Sequence, residues 1–220
     1  MKNRRQFIRD SALAGLGITL GVSASHGRGA SVITDEMKIG IIGLDTSHSP
    51  AFAKYINDPQ KESMRGMKVV AAYPYGSRNI ESSASRIPQY TKEFESMGIE
   101  IVDGIGELVK RSDAVLLETN DGNLHVEQAI PVFEAHKPLF IDKPVAGNLV
   151  DVIKIFEAAR KNNSVFFSSS SLRYLAKAQE IRYNSPIGDV AGAFTYSPEH
   201  WEPTHTDLYW YGIHGVEILY

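Results

Sequence analysis

From Lys38 onward, short apolar runs alternate with longer stretches that are apolar along one side only. The runs Ile39–Ile42, Lys68–Ala72, Ile99–Val102, Ala114–Glu118, Leu139–Ile141 and Val165–Ser168 are of strand length and predict six strands. Between them the pattern predicts helices over Ala51–Ile56, Gln89–Gly98, Ile105–Lys110, a segment running through Glu134, and Asn148–Lys161. The last places Leu149, Val152, Ile153, Phe156 and Ala159 along one apolar stripe. Strand and helix alternate throughout, which predicts an α/β fold: a Rossmann-like, doubly wound parallel sheet over residues 36–168, covered on both faces through right-handed crossovers. After it, Leu172–Asn184 predicts a linking helix, and Pro186–Val190 leads into an expected strand through Tyr196. Residues 169–220 are expected to begin a second, α+β domain.

The first strand ends at Gly43, and Ser49-Pro50 is a good helix start. A strand, a tight turn and a helix form the opening unit of a dinucleotide-binding fold. In the GxGxxG pattern the second glycine lets the backbone approach a pyrophosphate and the third lets helix pack on strand. Here Asp45 and His48 occupy those positions. A carboxylate repels a diphosphate and both side chains fill space, so either the ligand sits differently or the fold has lost it. Asp45, Ser47 and His48 line this mouth, where they can hydrogen-bond a ligand or cap the following helix. After the second strand, Ser77 and Arg78 stand where an acidic residue commonly holds a ribose. That pair suits a 2′-phosphate, which favours NADP over NAD.

The 220 residues are 43% hydrophobic and 22% charged, enough for one full domain and part of another. Formal net charge is −3 with the basic residues scattered, so nothing suggests nucleic acid or an anionic membrane surface as partner. There is no cysteine, which excludes disulfides, thiolate metal sites and a thiol nucleophile. Residues 1–30 read differently from the rest. Arg4-Arg5 precedes a mildly apolar, glycine-rich run from Ser11 to Ser25, the pattern of a twin-arginine export signal. That run is poor material for a membrane span, which needs about 20 apolar residues. The expectation is export to the periplasm by the twin-arginine machinery, with the signal cleaved between Ala24 and Ala30 or retained as an anchor.

Four pieces together resemble the glucose-fructose oxidoreductase, inositol dehydrogenase and MocA (Gfo/Idh/MocA) family: Thr119-Asn120 with His125; Asp142-Lys143-Pro144, where the family usually has Glu-Lys-Pro; Arg173-Tyr174; and Gly212 to Glu217, similar to a GxHxxD segment. The resemblance implies hydride transfer between a sugar carbon and NAD or NADP, with the nucleotide held by the first domain. It implies a cofactor crevice that includes Gly43, Thr119, Asn120, His125, Asp142 and Lys143. It also implies a sugar-like small-molecule substrate, with Arg173, His200, Glu202 and Trp210 near it, and a homo-oligomer in the full-length protein. Lys143 follows a strand end, where open α/β sheets place ligands, and is the candidate to steady oxyanion charge. His214 is the candidate acid or base. Trp210 stands where the family commonly has an Asp.

Two other enzyme or binding readings share the same scaffold. A bound nicotinamide can serve as a transient redox partner for net glycoside hydrolysis or epimerisation, or the altered turn can belong to a binding protein without the dinucleotide. His200, Glu202, His205 and Asp207 have metal-compatible side chains, but their spacing matches no ligand pattern and a polar loop is the expected reading. Trp201 and Trp210 can stack on a sugar face or pack in a sheet. The resemblance also implies a longer substrate domain than the 220 residues hold.

Overall fold

The computed structural model describes residues 36–198, 201–205 and 208–219. Six strands form one sheet: β1 (Met37–Ile42), β2 (Met67–Tyr73), β3 (Glu100–Ile101), β4 (Ala114–Leu117), β5 (Leu139–Asp142) and β6 (Phe166–Ser169). The order is β3-β2-β1-β4-β5-β6, and every pairing is parallel. β1 therefore has β2 on one side and β4 on the other, so the chain winds outward in both directions from it. The crevice between the carboxyl ends of β1 and β4 is the switch point where such sheets bind ligands.

The crossovers are α1 (His48–Asn57), α2 (Glu81–Ala84), α3 (Ile87–Ser96), α4 (Ile105–Arg111), α5 (His125–Glu134) and α6 (Leu149–Lys161). Alternate side chains of a strand face opposite ways, so β1 sends Ile39 and Ile41 to one side and Ile42 to the other. Ile39 and Ile41 pack with Leu44, Ala53, Phe94 and Ile99 in one apolar cluster. Ile42 belongs to the opposite cluster, with Val115, Leu117, Phe133, Ile141 and Ile155. A sheet buried on both faces accounts for strands that read as nearly unbroken apolar runs.

Two expectations fail here. In α6 the buried residues are Ile155 and Ala159, while Leu149, Ile153 and Phe156 are exposed. The apolar arc of this helix is wider than the surface it packs on, and Phe156, though exposed, meets the sheet only at its edge strand, ring to ring with Phe166 at 4.8 Å. The strand expected through Tyr196 is also absent, with Phe194 89% and Tyr196 84% exposed. A strand is held by its neighbour's ladder, and no described strand pairs with this stretch.

The linking helix divides into a 3-10 turn (Ser171–Tyr174) and α7 (Ala176–Asn184), and α8 (Ile213–Leu219) follows the turn at 208–212. Among the described residues no helix is long and apolar enough to cross a membrane. Arg4, Arg5, His200 and Asp207 lie outside the described residues.

Candidate active site at the mouth of the sheet

The turn after β1 keeps one feature of a nucleotide-binding loop. Gly43 has φ +86°, and a Cβ there would lie 2.7 Å or less from Thr119 backbone and side-chain atoms. Only glycine lets the turn pass this close to the end of β4. Ser49 Oγ donates to the Gly43 carbonyl at 2.8 Å and fixes the start of α1 against the turn. Ser47 is exposed, and its side chain caps nothing.

Asp45 departs from that pattern. Its side chain is fully buried, and Oδ2 accepts from Ser77 N–H at 2.6 Å while Oδ1 accepts from Asn120 N–H at 3.1 Å. The carboxylate thus joins the turn after β1 to the loops after β2 and β4. A Cβ on Gly76 would stand 2.5 Å from Oδ2, so Gly76 is where the second loop makes room for it. Burial pushes the Asp45 carboxyl above its ordinary range, and the bonds from Ser77 and Asn120 work against that rise. The backbone donors that Asp45 occupies are not available to another anion. A diphosphate laid over this turn in the usual way does not fit: it would meet a carboxylate instead of a glycine. Arg78, next in the same loop, is exposed, and Asn120 extends its amide to Ser83 Oγ at 2.8 Å.

Polar groups converge instead at the ends of β4 and β5. Asp142 Oδ2 and His48 Nδ1 are 2.8 Å apart, a link from β5 to the first residue of α1. Burial raises Asp142, but the His48 hydrogen bond and the Lys143 charge outweigh it and hold its carboxyl below the usual range. Glu118 closes β4 with no solvent exposure, and neither of its oxygens has a hydrogen-bond partner among the described residues. Burial first, and the nearby Asp142 charge second, push Glu118 well above the ordinary carboxylate range. Sequence reasoning did not single Glu118 out, although a carboxylate ending an apolar strand was the available signal.

Lys143 is 9% exposed, and its Nζ lies 5.5 Å from the centroid of the Tyr211 ring. The peptide bond from Lys143 to Pro144 is cis. Tyr211 also meets His214, with ring centroids 5.4 Å apart, so the two candidate catalytic side chains contact one aromatic ring. Ser170 Oγ lies 2.7 Å from His214 Nδ1, which leaves Nε2 as the ring nitrogen without a described partner. Burial, followed by the Lys143 charge, holds the His214 pKa below its ordinary value.

Other predicted residues are placed in structural bonds. His125 is fully buried, with Nδ1 3.0 Å from the Val145 carbonyl and Nε2 2.7 Å from the Thr119 carbonyl, so the ring ties the loops after β4 and β5 together. Thr119 itself is buried, and its hydroxyl has no hydrogen-bond partner among the described residues. Arg173 is paired with Glu217, which gives Glu217 its partner in α8. Trp210 is 7% exposed and packs on His205 at 4.7 Å between ring centroids. His205 Nε2 accepts from Gly122 N–H at 3.2 Å, which anchors residues 201–205 on the turn after β4. Glu202 accepts from the Thr204 hydroxyl at 2.8 Å within that segment.

The family model described as "Oxidoreductase family, NAD-binding Rossmann fold" matches residues 37–170. An uncharacterized oxidoreductase of Streptococcus pneumoniae is 27% identical over 121 residues, covering 53% of this chain and 32% of that protein. Inositol 2-dehydrogenase of Gluconacetobacter diazotrophicus is 33% identical over 95 residues, covering 41% of this chain and 28% of that protein. The crystal structure of myo-inositol 2-dehydrogenase from Lactobacillus plantarum superposes with a TM-score of 0.55 at 21% identity, over 71% of this chain and 43% of that one. At that identity the likeness is one of fold. The matches span about a third of the length of the curated relatives.

Proposed function

The chain belongs to this oxidoreductase family, and on that footing we propose that the protein is an exported NAD(P)-dependent oxidoreductase acting on a sugar, polyol or sugar derivative. The observation that carries the reading is the placement of Lys143 and His214 against the same Tyr211 ring, at the mouth of the sheet. A hydroxyl that loses hydride must also lose its proton, and the oxygen becomes negative as it does so. His214 Nε2 takes that proton; its depressed pKa keeps the ring neutral and able to accept. The Lys143 ammonium steadies the oxygen, and the partly apolar surroundings that Tyr211 provides make that charge count for more than it would in water.

When bound, the nicotinamide accepts or returns the hydride. The side chains of Ser77, whose hydroxyl has no hydrogen-bond partner among the described residues, and of Arg78 would hold the remainder of the cofactor, beside the Asp45 carboxylate and not over a bare glycine turn. Arg78 favours NADP. Export by the twin-arginine route, and assembly into an oligomer as a full-length protein, complete the proposal.

The test is to purify the full-length protein, look for the absorbance of a co-purifying nicotinamide, and follow its reduction with a panel of polyols and sugars. Reduction by one class of substrate supports the reading. Absence of both bound nucleotide and reduction across the panel overturns it.

A further inference from the structure

We propose that Glu118, Asp142 and His48 form a binding site for a divalent transition-metal ion at the carboxyl ends of β4 and β5. One ligand atom from each of the three residues lies within 4.8 Å of the others. They come from three separate segments, the start of α1, the end of β4 and the end of β5, so the fold and not a local sequence run brings them together.

Glu118 is the observation that points to a ligand. It is fully buried, it is aimed into the cluster, and both of its oxygens lack a partner among the described residues. A buried carboxylate ordinarily has hydrogen bonds, a cation or a metal to compensate the loss of water. Lys143 is the nearby cation, but no ion pair among the described residues joins it to Glu118 or Asp142, and its ammonium is placed over the Tyr211 ring.

Distances and chemistry agree with an ion. Two ligands each about 2.1 Å from a metal and at right angles to one another stand about 3.0 Å apart. His48 Nδ1 and Asp142 Oδ2, at 2.8 Å, are spaced as neighbouring ligands of a six-coordinate ion. On binding, the ion replaces the proton that the two now share. Two carboxylates and one imidazole suit manganese, iron, cobalt or zinc in their divalent states better than a soft ion, for which the chain has no thiolate. Three protein ligands leave positions open toward the cleft, where two adjacent oxygens of a polyol or hydroxy acid are the matching chemistry.

The experiment uses the full chain, stripped with a chelator and titrated with Mn2+ while the free ion is followed by electron paramagnetic resonance. One ion is expected per chain. Glu118→Gln and, at the half-exposed position, His48→Gln are each expected to weaken binding by about tenfold or more. Asp151→Asn, which alters a carboxylate in the first turn of α6 that is bonded to Asn148 and Lys154 and belongs to no part of the cluster, is expected to leave it unchanged. Circular dichroism verifies that each variant is folded, and His48→Gln carries the test if Glu118→Gln does not fold. No bound ion at millimolar Mn2+, or undiminished binding in every folded variant of the site, overturns the proposal. The readout needs neither substrate nor nicotinamide, so it stands or falls separately from the oxidoreductase reading.

Discussion

Ser170 Oγ stands 2.7 Å from His214 Nδ1, and this bond joins the residue just after β6 to the helix that carries the candidate acid or base. A carboxylate partner would draw charge onto the ring; a hydroxyl orients it without doing so. Ser170→Ala is expected to leave the fold intact and free the ring. Turnover should fall by about tenfold, a fraction of what a positioned base contributes. A kinetic comparison with Ser170→Thr, which keeps the hydroxyl, separates lost orientation from lost packing: Thr should recover part of the rate, and equal loss in both would point to packing alone.

Lys143 is expected to act on the reacting oxygen chiefly as negative charge develops there. Lys143→Met retains the stem and deletes the ammonium, so single-turnover rate should drop by about a hundredfold while substrate affinity changes little. Lys143→Arg should not restore it, since a planar guanidinium cannot take the place of a compact ammonium. A Met variant with the wild-type rate would remove Lys143 from the chemistry.

Asp45→Ala should be destabilising, because it deprives two backbone N–H groups, those of Ser77 and Asn120, of their acceptor. Each orphaned donor costs about 1–3 kcal/mol. Urea unfolding is the measurement, and an unchanged midpoint would show that water replaces the carboxylate at no cost.

His205 gives the segment 201–205 a pH dependence. Burial holds its pKa below the ordinary value, against the opposing charges of Asp121 and Glu202, with His125 adding to the depression. The unfolded segment therefore binds the proton more readily than the folded one. The His205 contribution is present in full above the ordinary pKa of about 6.5 and is lost as pH falls through the lower folded value. Protonation also removes the acceptor for Gly122 N–H. Fluorescence of Trp210, packed at a tilt against the same imidazole, should shift on acidification in the wild type, and His205→Gln should abolish the shift.

Replacing Arg4 and Arg5 with Lys should hold the protein in the cytoplasm if the N-terminal segment is a twin-arginine signal. Cell fractionation in strains with and without that machinery decides it. Equal export in both strains would exclude the route.

How much of this was legible in the sequence depends on what each element rests on. The six strands were visible because burial on both faces makes a strand apolar at nearly every position, as in Ala114 to Leu117. The turn at Gly43 was visible for a steric reason, and the proximity of Lys143 to the cleft followed from its place after β5. What pairs with what was not legible. That Asp45 would bond to Ser77, 32 residues away, depends on how close two loops come once the sheet has closed. Arg173, expected near substrate, is paired with Glu217, 44 residues on, a contact that no local spacing in the sequence announces. Glu118 falls within the predicted strand Ala114–Glu118, but the sequence does not show that its carboxyl is fully buried; only the folded sheet reveals that the end of β4 is roofed over.

The carboxylate of Asp45 has one more consequence. In most crevices of this kind the loops around the switch point are drawn together by the ligand, whose arrival is therefore opposed by the entropy of ordering them. Here an anion belonging to the chain itself already gathers the backbone of three loops. The crevice is preorganised, and a ligand meets a rim that has little left to settle. The amide hydrogens of Ser77 and Asn120 should accordingly exchange slowly with solvent in the free protein, at rates that the addition of any ligand barely alters.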